Sequence, residues 1–279
     1  MKPSFVLRHY EIKTPRLPCG ESVVVGLVSD LHGRSGDGLT DALREAKADL
    51  IAVCGDLIEN YLPPGEEDDY HRLIRESGKG RFLRFLHRVD AHFVGKRRAT
   101  RSNWEANAHL FPLLAAFAEI APTVYCPGNH ERSLTKEMLS AIREAGVLFL
   151  SNAEAEISVK ERTLRVGGSA ILCDFAFLRR FADGDGVRIL LCHCPEYYPR
   201  YLWDKGYDLV LSGHAHGGQI RLFGKGLFAP GQGFFPKYDG GVYHGNFVVG
   251  RGLCNTTLIP RLFNPRELPI VHLVGTGEK

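Results

Sequence analysis

Apolar residues recur along the chain in short runs with the length of buried β-strands. The runs lie at residues 22–29, 50–54, 123–126, 147–150, 188–192, 208–212 and 247–249. Most of them lack alternating polar positions, which is typical of strands covered on both faces. Helical spacing of apolar residues separates several of the runs, at residues 39–47, 104–119 and 133–145. This alternation predicts an α/β fold with some parallel pairing.

Later in the chain the pattern changes to that of a hairpin. Residues 155–160 and 163–168 alternate polar and apolar positions, and a charged turn joins them. Antiparallel pairing of this kind within an α/β chain predicts mixed β-sheets rather than one doubly wound sheet. We therefore predict a single domain over residues 1–279 that carries one insertion.

Composition narrows the class of protein. The chain has 279 residues, 44% of them hydrophobic and 24% charged, which excludes disorder, collagen and coiled coil. The formal net charge of +3 is too small for a dedicated nucleic-acid binder. The seven cysteines have no disulfide-framework spacing, and charged residues interrupt residues 1–18. Because neither a signal peptide nor a membrane span is predicted, we expect a cytoplasmic protein.

The insertion is residues 61–112, whose composition departs from the rest. Within residues 72–101, ten Lys or Arg stand against two acidic residues, a net +8 that leaves the remainder at −5. Apolar residues at helical spacing form one face, namely Phe82, Phe85, Leu86, Val89 and Phe93. We predict an inserted basic helical cap over the site that also contacts anionic lipid at the inner membrane face. The alternative is a helix that packs on the domain and whose arginines are merely solvated.

Residues with metal-ligating side chains follow the ends of the apolar runs. They are Asp30, His32, Asp56, Asn129, His130, His193, His214 and His216. Sites in α/β folds form beyond the carboxyl ends of strands, so we expect these side chains to converge. In SDLHG and GHAHGG the two donors are two residues apart, and on extended backbone they would point to one side. Carboxylate, amide and imidazole donors suit Mn, Fe, Zn or similar divalent ions.

Each of these residues alone has a simpler explanation. A core histidine often bonds a backbone carbonyl, and Asp56 or Asn129 can cap a helix or form a turn. Together, five of the twelve histidines at strand ends beside glycines favour a metal site. Without His130 there are seven donor residues, more than the four ligands of one tetrahedral ion. A carboxylate such as Asp56 can bridge two ions, the usual arrangement for in-line attack on phosphorus.

The motifs resemble the ordered blocks of the calcineurin-like metallophosphoesterase superfamily. The blocks here are Asp30-x-His32, Gly55-Asp56, Gly128-Asn129-His130-Glu131, His193 and Gly213-His214-x-His216. The resemblance runs from about residue 24 to residue 218, and GHAHGGQ resembles a bacterial phosphohydrolase subgroup whose last block reads GHxHGGQ. It implies two face-to-face mixed β-sheets flanked by helices, a four-layer sandwich.

The resemblance also implies two ligand sets. The first ion would be held by Asp30, His32, Asp56 and His216, and the second by Asp56, Asn129, His193 and His214. The implied reaction is phosphoester hydrolysis by a water or hydroxide that bridges the ions. His130 is expected to protonate the leaving oxygen, the alternative being a structural hydrogen bond to a carboxylate. Arg34 is a candidate contact for substrate phosphate, and a solvated turn arginine is the alternative.

Two features depart from the family pattern. The family's GDxxD block usually ends in Asp, whereas this chain has Glu59, one methylene longer. Members with GHxHGGQ often begin with a membrane anchor or export signal, and neither is predicted here. Cys192 and Cys194 flank His193, and as its neighbours in a strand they are expected to point away from it and pack as thiols.

These observations predict a two-metal hydrolase of a phosphodiester, pyrophosphate or phosphomonoester. Small-molecule, lipid-linked and sugar-nucleotide phosphates are the candidate substrates. One alternative is a nuclease that lines a groove with residues 72–101, but few aromatics interleave with those charges, so nucleic acid is disfavoured. The other alternative is a metal-binding scaffold without turnover. Such a scaffold would not require His130 in addition to the full set of metal donors.

Overall fold

The computed structural model describes residues 4–59, 103–131, 134–255 and 259–278. The basic segment at residues 72–101, and with it most of the predicted cap over residues 61–112, lies outside the described residues. The described chain forms two six-stranded sheets and two small hairpins. Its α-helices are α1 (Leu39–Glu45), α2 (Asn103–Asn107), α3 (Leu110–Ala118), α4 (Lys136–Glu144) and α5 (Phe175–Ala182).

The first sheet has the strand order β1-β16-β2-β3-β4-β5. Its strands are β1 (Val6–Pro18), β2 (Ser22–Val28), β3 (Leu50–Cys54), β4 (Thr123–Cys126), β5 (Leu148–Phe149) and β16 (Glu267–Gly277). Strands β2 to β5 run parallel, while β16 is antiparallel to β2 and parallel to β1. The carboxyl ends of β2, β3 and β4 therefore lie at one edge of this sheet.

The second sheet has the order β14-β15-β9-β8-β7-β6. Its strands are β6 (Ala153–Val159), β7 (Arg162–Gly168), β8 (Val187–Leu191), β9 (Leu209–Ser212), β14 (Gly241–Tyr243) and β15 (Phe247–Val249). The β6–β7 and β14–β15 pairs are antiparallel, and the pairs between β7, β8, β9 and β15 are parallel. Both sheets are mixed, as the sequence predicts.

The two sheets pack face to face, with helices on their outer faces. Side chains from both sheets fill the space between them, including Val25 and Leu50 from the first and Ile189 from the second. Helices α1, α3 and α4 cover the outer face of the first sheet, and Phe177 and Phe181 of α5 pack against the second. The predicted four-layer sandwich is confirmed, and it explains why most strands are apolar throughout.

The structure contains two long strands that the sequence does not predict, and it divides one predicted helix into two. Strand β1 is an edge strand with charged side chains, and β16 contains Pro269, which argues against a central strand. The single helix expected over residues 104–119 is instead α2 followed by α3. Pro112 lies in the first turn of α3, and in a continuous helix its ring would clash with the preceding turn.

Candidate metal centre

The predicted donors occupy turns directly after five parallel strands, three in the first sheet and two in the second. The donor cluster consists of Asp30, His32, Asp56, Asn129, His193, His214 and His216. It draws on the turns after β2, β3 and β4, and on those after β8 and β9. Because the sheets face each other, these strand ends meet at one end of the sandwich, where sites in α/β folds form.

Left-handed backbone, not extended backbone, directs five of these side chains. The φ angles are 55° for Asp30, 49° for His32, 53° for Asp56, 66° for His214 and 47° for His216. Non-glycine residues rarely adopt this region, and where they do the surrounding structure must hold them. The expectation that donors two residues apart share one side of an extended segment is therefore wrong, because each of these segments turns sharply as its strand ends.

One group within the donor cluster is formed by Asp30, His32 and His216, whose donor atoms lie within 4.8 Å of one another. His216 Nε2 lies 3.3 Å from His32 Nε2 and 3.5 Å from Asp30 Oδ1. Within the described part of the chain, Asp30 Oδ2 and His216 Nδ1 are buried without a hydrogen-bond partner. Burial lowers the pKa of His216 to about 4, so at neutral pH the imidazole is uncharged and one of its two nitrogens offers a lone pair.

The other group is formed by Asp56, His193 and His214. His193 Nε2 is 3.2 Å from Asp56 Oδ2 and 3.2 Å from Asn129 Oδ1. The opposite nitrogen of the ring, Nδ1, is 2.8 Å from the Cys54 carbonyl, to which it donates. Such a bond fixes the tautomer and turns Nε2 towards the donor cluster, as histidines that ligate metals usually require.

Asp56 lies between the two groups. Its Oδ2 is 3.2 Å from His193 Nε2 and 3.6 Å from His32 Nε2. Burial alone would raise the pKa of this carboxyl, but the adjacent imidazoles hold it well below its usual range. The same carboxylate outweighs the effect of burial on His193 and raises the pKa of that imidazole to about 10. Buried anionic oxygen beside converging imidazoles therefore fits divalent cations, which compete with protons for such donors.

His130 lies beside the donor cluster and is held by Glu59. Glu59 Oε1 is 2.7 Å from His130 Nδ1, and its Oε2 is 2.9 Å from His32 Nδ1. Burial opposes protonation of His130, but Glu59 and Asp56 raise its pKa to about 10. His130 Nε2 lies 3.9 Å from Asp56 Oδ2. The longer side chain of Glu59 therefore contacts two histidines of the site at once.

Three supporting residues were not assigned roles from the sequence. Glu131 accepts hydrogen bonds from the backbone N–H groups of Asp56, Gly128 and Ile58 and from the hydroxyl of Tyr125. Its position directly after the GNH motif was the available signal.

The other two are asparagines, which hold the backbone of the site through their side-chain amides. Asn107 bonds the backbone N–H and carbonyl of Glu59, at 2.9 and 2.8 Å. Asn264 Nδ2 donates to the His216 carbonyl at 2.7 Å. No sequence signal marks either of them, because both contacts join distant segments.

Two further predictions concern residues at the margin of the site. Arg34 is exposed in the turn after His32, and its contact with substrate phosphate stays a prediction. Cys192 packs in the core against the second sheet, as expected for a thiol of that kind. Cys194 differs, because its donor atom lies within 4.8 Å of those of Glu196 and His214. The chain leaves the strand at residue 192, so strand alternation no longer applies there.

Comparison with known proteins identifies the class of protein as a metal-dependent phosphoesterase. The family model for calcineurin-like phosphoesterases matches residues 23–218. The chain therefore belongs to the calcineurin-like phosphoesterase family. Among the described residues, no helix is both long enough and apolar enough to cross a membrane.

Several individual proteins are similar to the chain. "Uncharacterized protein YpbG" of Bacillus subtilis is 31% identical over 260 residues, which cover 91% of this chain and 82% of that protein. "Phosphodiesterase YaeI" of Escherichia coli is 32% identical over 115 residues, covering 39% of this chain and 42% of that protein. The crystal structure of the phosphopantetheinyl hydrolase PptH from Mycobacterium tuberculosis aligns with a TM-score of 0.39 and 10% identity, covering 85% of this chain and 89% of that one.

Proposed function

We propose that the chain is a two-metal phosphohydrolase. Asp30, His32, Asp56 and His216 would hold the first ion, and Asp56, Asn129, His193 and His214 the second. The observation that carries the proposal is the position of Asp56 Oδ2, which lies 3.6 Å from His32 Nε2 and 3.2 Å from His193 Nε2. One carboxylate oxygen thus contacts both groups of the donor cluster. The donor chemistry suits Mn, Fe, Zn or similar ions.

The ions, when bound, would lower the pKa of water and neutralise the charge of phosphoryl oxygens. The chain's own residues supply the remaining functions. Glu59 anchors His130 through Nδ1, so Nε2 is the ring nitrogen free to serve the reaction. The His130 side chain is 24% exposed, whereas the side chains of the other four histidines of the described site are at most 10% exposed. His130 is therefore accessible to substrate. We assign His130 Nε2 to protonation of the leaving oxygen.

For the substrate we propose a phosphodiester, pyrophosphate or phosphomonoester of a small, lipid-linked or sugar-nucleotide compound. The similarity to "Phosphodiesterase YaeI" supports the diester. Arg34, exposed beside His32, is proposed to contact substrate phosphate. We further propose action in the cytoplasm, with peripheral contact between residues 72–101 and anionic lipid. The seven cysteines are all described and all free, which supports a reducing compartment.

The test is removal of the shared carboxylate in Asp56→Asn. Loss of groups that only orient metal ligands costs roughly 10–100-fold in metal affinity or activity, so loss of a bridging ligand should cost at least about 100-fold in turnover. Elemental analysis should find fewer than two equivalents of metal in the variant. Hydrolysis is measured on nitrophenyl mono- and diesters, a sugar-nucleotide pyrophosphate and short DNA.

The matched control is Asp185→Asn, at an exposed loop position. It should keep both the metal and the activity of the parent. Two equivalents of metal and unchanged hydrolysis in Asp56→Asn would refute the shared-ligand assignment. Preferential cleavage of DNA by the parent would instead identify a nuclease.

A further inference from the structure

Three phenylalanines occupy strained, exposed positions in the segment of the chain that follows His216. Phe223 is fully exposed, and Phe235 and Phe263 are 75% and 81% exposed. Their φ angles are 52°, 51° and 54°, in the left-handed region that bulky side chains rarely adopt. Neither the backbone nor the hydration of the ring favours phenylalanine at these positions. The rings therefore contribute little to the fold in which they are found.

Phe223 shows this most clearly. The two-residue strands β10 (Arg221–Leu222) and β11 (Lys225–Gly226) pair as a hairpin, so Phe223 and Gly224 form its turn. Both turn residues have positive φ, 52° and 81°, the geometry in which Asn, Asp and Gly are preferred. A phenylalanine here projects an apolar ring from the tip of a hairpin into solvent.

The hairpin and the segment that carries Phe263 lie side by side, close to His216. The backbone N–H of Arg221 donates to the Leu262 carbonyl at 3.0 Å, and a parallel bridge joins Ile220 to Leu262. Phe223 and Phe263 line one cleft of about 430 Å³ together with Arg221. Asn264, the residue after Phe263, donates through Nδ2 to the His216 carbonyl, so the segment that carries Phe263 contacts the first donor group.

The exposed charge of this region is positive. Residues 219–266 contain six Lys or Arg and a single acidic residue, Asp239. Asp239 is buried and lies 3.2 Å from Arg221, so its charge is compensated within the protein. Lys225 and Lys237, next to the phenylalanine turns, are exposed. An exposed lysine thus follows each of the Phe223 and Phe235 turns by two residues, and the one acidic residue of residues 219–266 is buried.

We propose that the turns carrying Phe223, Phe235 and Phe263 form a docking surface for an anionic lipid bilayer. The rings enter the boundary between headgroups and acyl chains, while Lys225 and Lys237 remain at the level of the lipid phosphates. Exposed Leu222 and Leu262 extend the apolar surface beside the rings. The flanking exposed lysines favour the anionic phosphates of a bilayer over an uncharged protein surface. The surface is independent of residues 72–101 and requires no assumption about the reaction.

Vesicle sedimentation tests the proposal with the full-length protein. The parent should sediment with vesicles of phosphatidylglycerol and phosphatidylcholine at low salt, and less with phosphatidylcholine alone. The double variant Phe223→Ser, Phe263→Ser should bind at least about tenfold more weakly, because it loses two inserted rings. Leu172→Ser is the matched control, since Leu172 is 66% exposed and lies outside residues 219–266.

The basic component is tested by Lys225→Glu with Lys237→Glu, which should weaken binding at low salt more than at high salt. Lys136→Glu, at another exposed lysine, is the control and should bind like the parent. Unchanged hydrolysis of a soluble nitrophenyl ester would show that the variants are folded.

A second measurement reports insertion directly. Tryptophan emission from Phe223→Trp should shift to the blue with anionic vesicles and be quenched by brominated lipid, beyond any change in the parent. Absence of vesicle binding by the parent would overturn the proposal and leave a protein partner as the occupant. Vesicle binding that survives the double phenylalanine substitution would also overturn it, by placing the lipid contact elsewhere on the chain.

Discussion

Glu131 is a buried carboxylate whose four hydrogen bonds join two turns of the metal centre. Its Oε2 accepts from the N–H groups of Asp56 and Gly128 at 2.7 and 2.6 Å. Its Oε1 accepts from Ile58 N–H at 2.8 Å and from the Tyr125 hydroxyl. The side chain thereby connects the turn after β3 to the turn after β4. We expect Glu131→Gln to separate this supporting role from metal binding, because Glu131 is not a proposed ligand.

The expected loss of stability follows from the four hydrogen-bond donors that Glu131 accepts from. Glutamine keeps the shape but replaces one accepting oxygen with an NH₂ group, so two donors lose an acceptor in either orientation of the amide. The Tyr125 hydroxyl can rotate to accept, but a backbone N–H cannot. At least one buried N–H is left unsatisfied, at about 1–3 kcal/mol, and the remaining bonds lose the assistance of charge. Burial and the Asp56 carboxylate raise the pKa of Glu131, so neutralisation relieves part of this cost. We expect a net loss of about 2–3 kcal/mol.

The assay is urea unfolding followed by circular dichroism, with EDTA present so that loss of metal does not contribute. Tyr125→Phe removes only one of the donors and should cost about 1 kcal/mol. Glu161→Gln, in the exposed β6–β7 turn, should leave the free energy of unfolding unchanged. A free energy of unfolding for Glu131→Gln within about 0.5 kcal/mol of the parent would show that the charged hydrogen bonds of Glu131 do not stabilise the fold.

Two further predictions concern the pair formed by His130 and Glu59. His130→Ala should keep its metal and lose roughly 10²–10⁴ in turnover, with a smaller loss on nitrophenyl esters, whose leaving groups need little protonation; equal losses on nitrophenyl and alkyl esters would contradict the acid role. Glu59→Asp is too short to contact His32 and His130 together and should lower turnover roughly 10–100-fold. Added to His130→Ala it should lower turnover by a smaller factor than it does alone, because only the contact with His32 is left to lose. A fully additive loss would show that Glu59 does not act through His130.

Much of the fold was predictable because its strands are buried on both faces. A strand such as β3 has no exposed side, so its apolar run stands out in the sequence, and all five of its residues are buried. Strand β1 could not be found in this way, because an edge strand keeps charged side chains on its exposed positions. Its length is set by ten residues paired with β16, at the opposite end of the chain, and periodicity carries no information about such distant partners.

The donor set was predictable for a related reason. Polar residues at the ends of apolar strands are conspicuous, and parallel strands bring such ends together. The backbone conformation that directs these side chains was not predictable. Nothing in the sequence indicates that Asp30 or His32 adopts a positive φ angle. The partners that hold that backbone, such as Asn107 and Asn264, lie 48 residues from their acceptors on Glu59 and His216. Only the folded topology brings them into contact.

The strained turns of the donor cluster are held mainly by one another. The N–H of Asp30 donates to the Gly55 carbonyl at 3.1 Å, and that of His32 to the Asp56 carbonyl at 2.8 Å, so the β2–β3 pairing continues into the turns. In the second sheet, the N–H of His214 donates to Asp30 Oδ1 at 2.8 Å, which links the two sheets.

A left-handed non-glycine residue costs on the order of 1–2 kcal/mol. These bonds offset that cost only when the turns of both sheets are in place together. The close approach also explains the glycines between the donors. A Cβ on Gly128 would lie 2.2 Å from Asp56 Oδ1, and one on Gly213 would lie 2.6 Å from Asp30 Oδ2. The glycines permit the backbone contact, and that contact imposes the strain that directs the donors at a common centre.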